Sequence, residues 1–193
     1  MTCSTNYYEL DDDKYIPGRW HLRVPRTDEA GRDGLFDIWR FTEGRHLTIE
    51  HPIRLSVNPR GRALEYTHAL GIPVVHQRVV SLLSRLDLQS EVQLIPVEVE
   101  GQHEPYFILN ALRVIRCVDE ARSGHVDHWR QEDGEPERVG QYKNIRGLKI
   151  DSTKVEGAHV FRPWGWDGVL IVAERIKLAM QAEGITGTEF VEV

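Results

Sequence analysis

Residues 86–120, LDLQSEVQLIPVEVEGQHEPYFILNALRVIRCVDE, hold two long apolar runs separated by a polar loop containing Gly101 and Pro105. That pattern predicts a β-hairpin with strands over residues 91–99 and 106–118. The second run is apolar on both faces, with Ile108, Leu112 and Val114 on one and Phe107, Leu109, Ile115 and Cys117 on the other. A strand lacking a polar face must be covered on both sides, so it belongs in the middle of a sheet. No other segment constrains the fold as strongly, and this one carries no recognisable catalytic chemistry.

The remaining chain is arranged around that hairpin. Residues 6–10 and 20–24 read as short strands flanking an acidic turn, Asp11-Asp12-Asp13, and residues 26–34 as a Gly-rich loop. Alternation in Phe36-Asp37-Ile38-Trp39-Arg40-Phe41 predicts a half-buried strand, and residues 44–73, with Pro52, Pro59 and Pro73, read as irregular. A helix is expected over residues 74–86, entered at Pro73, with Val75, Val79, Leu82, Leu83 and Leu86 on one stripe. Residues 131–138, QEDGEPER, read as a mobile polar loop, and residues 142–151, 158–161 and 190–193 as further strands. Asp167 is placed to cap a second helix whose buried stripe is Val169, Val172, Ala173, Ile176 and Met180, ended by Gly184. Strands in blocks with few helices predict an α+β fold: a largely antiparallel central sheet with two main amphipathic helices in a single domain.

A chain of 193 residues is long enough to bury a full core. Its net charge of −6 is spread evenly, since residues 1–100 and 101–193 each carry 15 acidic and 12 basic side chains. No basic arm exists to neutralise phosphates, so nucleic acid is not an expected partner. Cys3 and Cys117 have no C-x-x-C neighbour, no stretch reads as a signal peptide, and no run approaches the length of a membrane span. The expectation is a soluble cytoplasmic protein without a cofactor.

Chemical motifs are sparse. There is no G-x-S-x-G elbow and no Gly-rich phosphate loop, and Ser123-Gly124-His125 is an adjacency rather than a triad. His125, Asp127 and His128 are of metal-ligand type, and a small metal-dependent hydrolase built on them is one competing reading. On an extended strand, however, His125 and His128 point to opposite faces, so no metal site is predicted. Two constellations suit partner binding instead. Asp11, Asp12 and Asp13, with Glu9, could steer a basic partner, although such a run also serves as a solvated turn. Trp164 and Trp166, in the loop Phe161-Arg162-Pro163-Trp164-Gly165-Trp166-Asp167, are of hot-spot type, although large aromatics also lid cores. An adaptor anchored by these two tryptophans is the other competing reading.

Several elements, in order, resemble one bacterial family. They are Tyr7-Tyr8-Glu9-Leu10, Trp20-x-Leu22, Trp39-x-Phe41-x-x-Gly44, Val92-Gln93-Leu94-Ile95-Pro96-Val97 and Tyr106-Phe107-Ile108-Leu109-Asn110. Cys117-Val118-Asp119, His159-Val160-Phe161-Arg162, Ile176-Lys177 and Gly184-Ile185-Thr186-Gly187-x-x-Phe190 complete the series. Together they resemble the myxobacterial-type immunity proteins of polymorphic toxin systems, immunity family eleven, across nearly the whole chain. The resemblance implies one immunity-protein-like domain over residues 1–193 that is not an enzyme. It also implies a cognate toxin domain as partner, encoded by an adjacent gene. It supplies no catalytic residues, and toxin-selecting positions are expected in exposed loops.

Overall fold

The computed structural model describes residues 6–23 and 37–193. Cys3, Val24, Phe36 and the loop expected at residues 26–34 lie outside the described residues. In chain order the strands and helices are β1 (Tyr7–Asp12), β2 (Ile53–Leu55), β3 (Tyr66–Ala69), β4 (Ile72–His76), α1 (Gln77–Arg85), β5 (Val92–Val99), β6 (Tyr106–Ala111) and β7 (Val114–Ile115). They continue as β8 (His125–His128), β9 (Tyr142–Arg146), β10 (Val160–Pro163), β11 (Ile171–Ala173), α2 (Glu174–Ala182) and β12 (Thr188–Glu192). The fold is α+β and mostly antiparallel.

The expected hairpin forms between β5 and β6, in register from Val92 opposite Ala111 to Val97 opposite Tyr106. The strand β6 is central in a five-stranded sheet of order β2-β5-β6-β4-β3, in which only β2 and β5 run parallel. Its side chains alternate as the pleat requires: Leu109 and Ala111 join one core, while Tyr106 and Ile108 join another across the sheet. The apolar run does not stay in this sheet to residue 118. It breaks at Leu112-Arg113, and β7 then pairs in parallel with β10 in a second five-stranded sheet, β12-β1-β11-β10-β7. One continuous apolar stretch thus serves two sheets.

Both helices lie in the core shared by the two sheets. Val79, Leu82 and Leu83 of α1 pack with Ile176 and Met180 of α2, and with Tyr8, Leu109 and Val172 from the strands. These are the stripe residues the periodicity marks, but both helices start later than expected. Residues 72–76 and 171–173 are fully buried strands that run straight into their helices. The side chain of His76 caps α1 by accepting the Arg78 N–H at 3.2 Å. Asp167 does not cap α2; its carboxylate accepts the Gly165 N–H at 3.2 Å. Gly184, at φ +64°, does follow the end of α2 in the left-handed conformation.

Four further expectations are corrected. Residues 38–42 form a 3-10 helix rather than a strand, because the Asp37 carboxylate accepts the Trp39 N–H at 3.1 Å and turns the chain. Residues 44–73 supply β2 and β3, and residues 20–23 make only an isolated bridge, Leu22 to Val57. Residues 131–138 form two 3-10 turns, tied down where Lys143 pairs with Asp133.

Candidate partner interface

The acidic segment at residues 11–13 is largely spent inside the protein. Asp12 ends β1 with its side chain buried, in an ion pair with the equally buried Arg19. Arg19 also donates to the Thr67 hydroxyl at 2.9 Å. Asp11 pairs with Lys14 at 2.9 Å and faces His68 Nδ1 at 3.2 Å. Burial raises the Asp11 carboxyl, but the Lys14 hydrogen bond, the Asp12 amide and nearby positive charge outweigh it and leave it below its usual range. The Asp13 carboxylate accepts the Tyr15 N–H at 2.9 Å. Among the described residues, Asp11, Asp12 and His68 are the group whose ligand-type atoms converge within 4.8 Å. Arg19 and Lys14 already supply cationic charge there, so the trio is an internal ionic network. The expected open acidic turn is therefore reduced to the half-buried Asp11 and Asp13.

The tryptophan loop is built on a buried arginine. Arg162 is wholly enclosed in β10 and donates to the Asp167 carbonyl at 2.7 Å, while its Nε and Nη2 have no partner. Burial pushes its guanidinium down to about 10. Arg162 is thus a core residue that shapes the loop, not a surface handle. Trp164 is half-buried under the Arg116 guanidinium, 3.2 Å from its ring centroid. Trp166 is half-buried against a separate apolar cluster that includes Tyr7, Ile145, Phe161 and Ile171, and it lines a groove. Trp164 does not line that groove.

That groove, about 680 Å³ in volume, lies where three separated segments meet. Trp39 projects from the 3-10 helix while Phe41, two residues on, is buried beneath it. Trp129 extends β8, with its N–H donated to Gln141 at 2.9 Å. Trp166 closes the third side. Gly165, at φ +75°, allows this approach, since a Cβ there would sit 3.3 Å from the Gln141 Cα. Arg138 lies between two indoles, 5.4 Å from the Trp39 centroid and 5.5 Å from that of Trp129. Cation–π attraction of this kind holds aromatic faces in place. Burial raises the Asp167 carboxyl at the groove edge.

The sequence reading selected Trp166 but missed Trp39 and Trp129. The signal was available in their neighbours. Both indoles sit beside charged residues, in Asp37-Ile38-Trp39-Arg40 and His128-Trp129-Arg130, a setting that favours a partly wet ring over a core one.

Compared with known protein families, residues 6–193 match the Immunity protein family (Imm11). The chain belongs to this family. No curated protein matches it.

In this immunity-family protein the other chemical candidates are committed elsewhere. His125 Nε2 faces Asp127 at 3.2 Å, whereas His128 Nε2 faces Glu120 at 3.2 Å. Tyr142 donates to the same Glu120 oxygen at 3.0 Å, and burial together with that bond pushes its hydroxyl up to about 12. The two histidines thus do not converge on one ligand position. Ser123 donates to the Asp119 carbonyl at 2.8 Å rather than to His125. Cys117 is fully buried, not in a strand but just after β7, and burial pushes its thiol up to about 11, far from the nucleophilic thiolate. No helix among the described residues is long and apolar enough to cross a membrane.

Proposed function

We propose that the protein neutralises a cognate bacterial toxin by binding it, in the cytoplasm of the cell that makes both. The observation that carries this reading is the immunity-family match over residues 6–193. It is supported by the chemistry of the fold, whose nucleophile and metal-ligand candidates are paired internally while an aromatic groove remains open. Inhibition of this kind needs an interface of about 1,200–2,000 Å² anchored by a few aromatic or charged residues. It needs no catalytic residue. The partner is a toxin domain encoded next to this protein's gene, as in kin-protection systems.

Co-expression tests the reading directly. Cells carrying the toxin domain from the adjacent reading frame should survive when this protein is made, and the two chains should co-purify. Continued killing with no complex formed overturns the proposal.

A further inference from the structure

The groove between Trp39, Trp129 and Trp166 is lined by the carboxylates Glu43, Glu137 and Asp167 and the bases Arg138 and Lys143, and the segment at its lip is acidic. Residues 131–138 hold four carboxylates, Glu132, Asp133, Glu135 and Glu137, and one base, Arg138. Asp133 pairs with Lys143, and Glu132 lies 3.5 Å from Arg130. Arg138 is held against the two indoles. Glu137 lines the groove and Glu135 meets it side chain to side chain; both are exposed, and its own amide, Glu135 and the nearby Arg138 charge hold the Glu137 carboxyl below its usual range. Beside them stands Trp39, 57% exposed although its neighbour Phe41 is completely buried. An exposed indole in the same groove as two adjoining carboxylates matches a ligand that is apolar and cationic at once.

We propose that this groove is the docking surface for a basic segment of the toxin, which sets an arginine or lysine against Glu135 and Glu137 and an apolar side chain against Trp39. The inference rests on the toxin-binding reading above and deepens it by naming the surface and the chemistry of its occupant. The charge complementarity argues for a basic protein segment rather than nucleic acid, whose phosphates the lip carboxylates repel. The segment enters along the open side of the groove and leaves Arg138 stacked between its indoles. The pre-formed Arg138 stack keeps the rings fixed, so binding orders little of this protein. Asp11, Asp13 and Trp164 lie outside the groove and contribute no contact to this segment.

The test uses the full chain and the purified, catalytically inactivated toxin domain encoded beside its gene, measured by calorimetry at low and high salt. Trp39→Ala and the double variant Glu135→Gln/Glu137→Gln each weaken binding by about tenfold or more. The loss in the double variant shrinks at high salt, because a screened ion pair has less to lose. Leu178→Ala, on an exposed position of α2 outside the groove, leaves affinity unchanged. All variants are on the surface, and circular dichroism confirms that they fold. Wild-type affinity in both groove variants overturns the docking surface while leaving toxin neutralisation intact. Loss in Trp39→Ala without loss in the carboxylate variant overturns the basic segment. If the unmodified protein does not bind the toxin domain, both this inference and the function it rests on fall.

Discussion

Glu91 joins the two sheets through a single carboxylate. It precedes β5, and its oxygens accept the His159 N–H at 2.6 Å, the Val160 N–H at 2.8 Å and the His159 Nδ1–H at 2.8 Å. Arg175 sits 3.3 Å from His159 Nε2 and has only N–H groups to offer, which selects the tautomer with its proton on Nδ1. Burial alone raises the Glu91 carboxyl, but donation from His159 and the two amides outweighs it and holds the group below its usual value. A folded-state pKa lower than the unfolded one means that the unfolded chain binds the proton more readily. The stabilisation is therefore present above about pH 4.3 and is lost as pH falls through the folded value. Glu91→Gln, which turns an NH2 group toward backbone donors, should cost about 1–3 kcal/mol at neutral pH. Urea unfolding at pH 7 and near pH 3.5 checks this, because the gap between variant and parent must narrow as the pH falls. A gap of constant size shows that packing, not charge, is at work.

At the scale of elements, the turn between α2 and β12 locks one sheet to the other. Tyr66 donates its N–H to the Thr186 carbonyl at 3.0 Å, and Asp13 donates to the Gly187 carbonyl at 2.9 Å. Gly187 has φ +92°, and a Cβ there would lie 2.1 Å from the Tyr66 carbonyl oxygen. Both strain and collision oppose any side chain, so Gly187→Ala should cost about 3–5 kcal/mol by forcing β12 away from β3. Thermal unfolding followed by circular dichroism measures the loss, and a variant as stable as the parent refutes the lock.

The same scale shows what was legible in the sequence. The β5–β6 hairpin, the central place of β6 and the helical part of each stripe, Val79, Leu82 and Leu83 in α1 and Ile176 and Met180 in α2, follow from periodicity, because tertiary burial and local pattern agree there. The starts of the helices do not. In β4–α1 and β11–α2 a strand buried on both faces runs into a helix with no loop, and its apolar residues satisfy either period. Strands of two or three residues such as β2 and β7 carry too few side chains to show alternation. The groove was only partly legible, since its three indoles come from positions 39, 129 and 166 and only the fold brings them together. The internal pairing of the acidic run at residues 11–13 is not legible for a related reason. The partner that neutralises Asp12, Arg19, is seven residues away across a turn, beyond the reach of a pattern argument.

For the whole molecule, electrostatics and packing should govern different stages of association. Much of the surface charge is internally matched, as in Arg54 with Glu98 at 2.9 Å and Arg60 with Glu100 at 3.1 Å. The net charge of −6 nevertheless remains, and the adjoining Glu135 and Glu137 place part of it beside the groove. Such a field draws a basic partner from a distance and orients it before contact, so it acts on the association rate. The Trp39 contact forms only after docking and acts on the dissociation rate. The two stages therefore separate under salt. Raising the salt from about 0.05 M to about 0.5 M contracts the screening length several-fold and should slow association with the toxin domain by roughly tenfold or more. Dissociation should change little. Stopped-flow fluorescence of the groove tryptophans reads both rates. Trp39→Ala should then speed dissociation while keeping the salt dependence of association, because the carboxylates that steer are still in place. An association rate insensitive to salt means that the negative charge of this molecule is there for solubility, and that the groove finds its partner by contact alone.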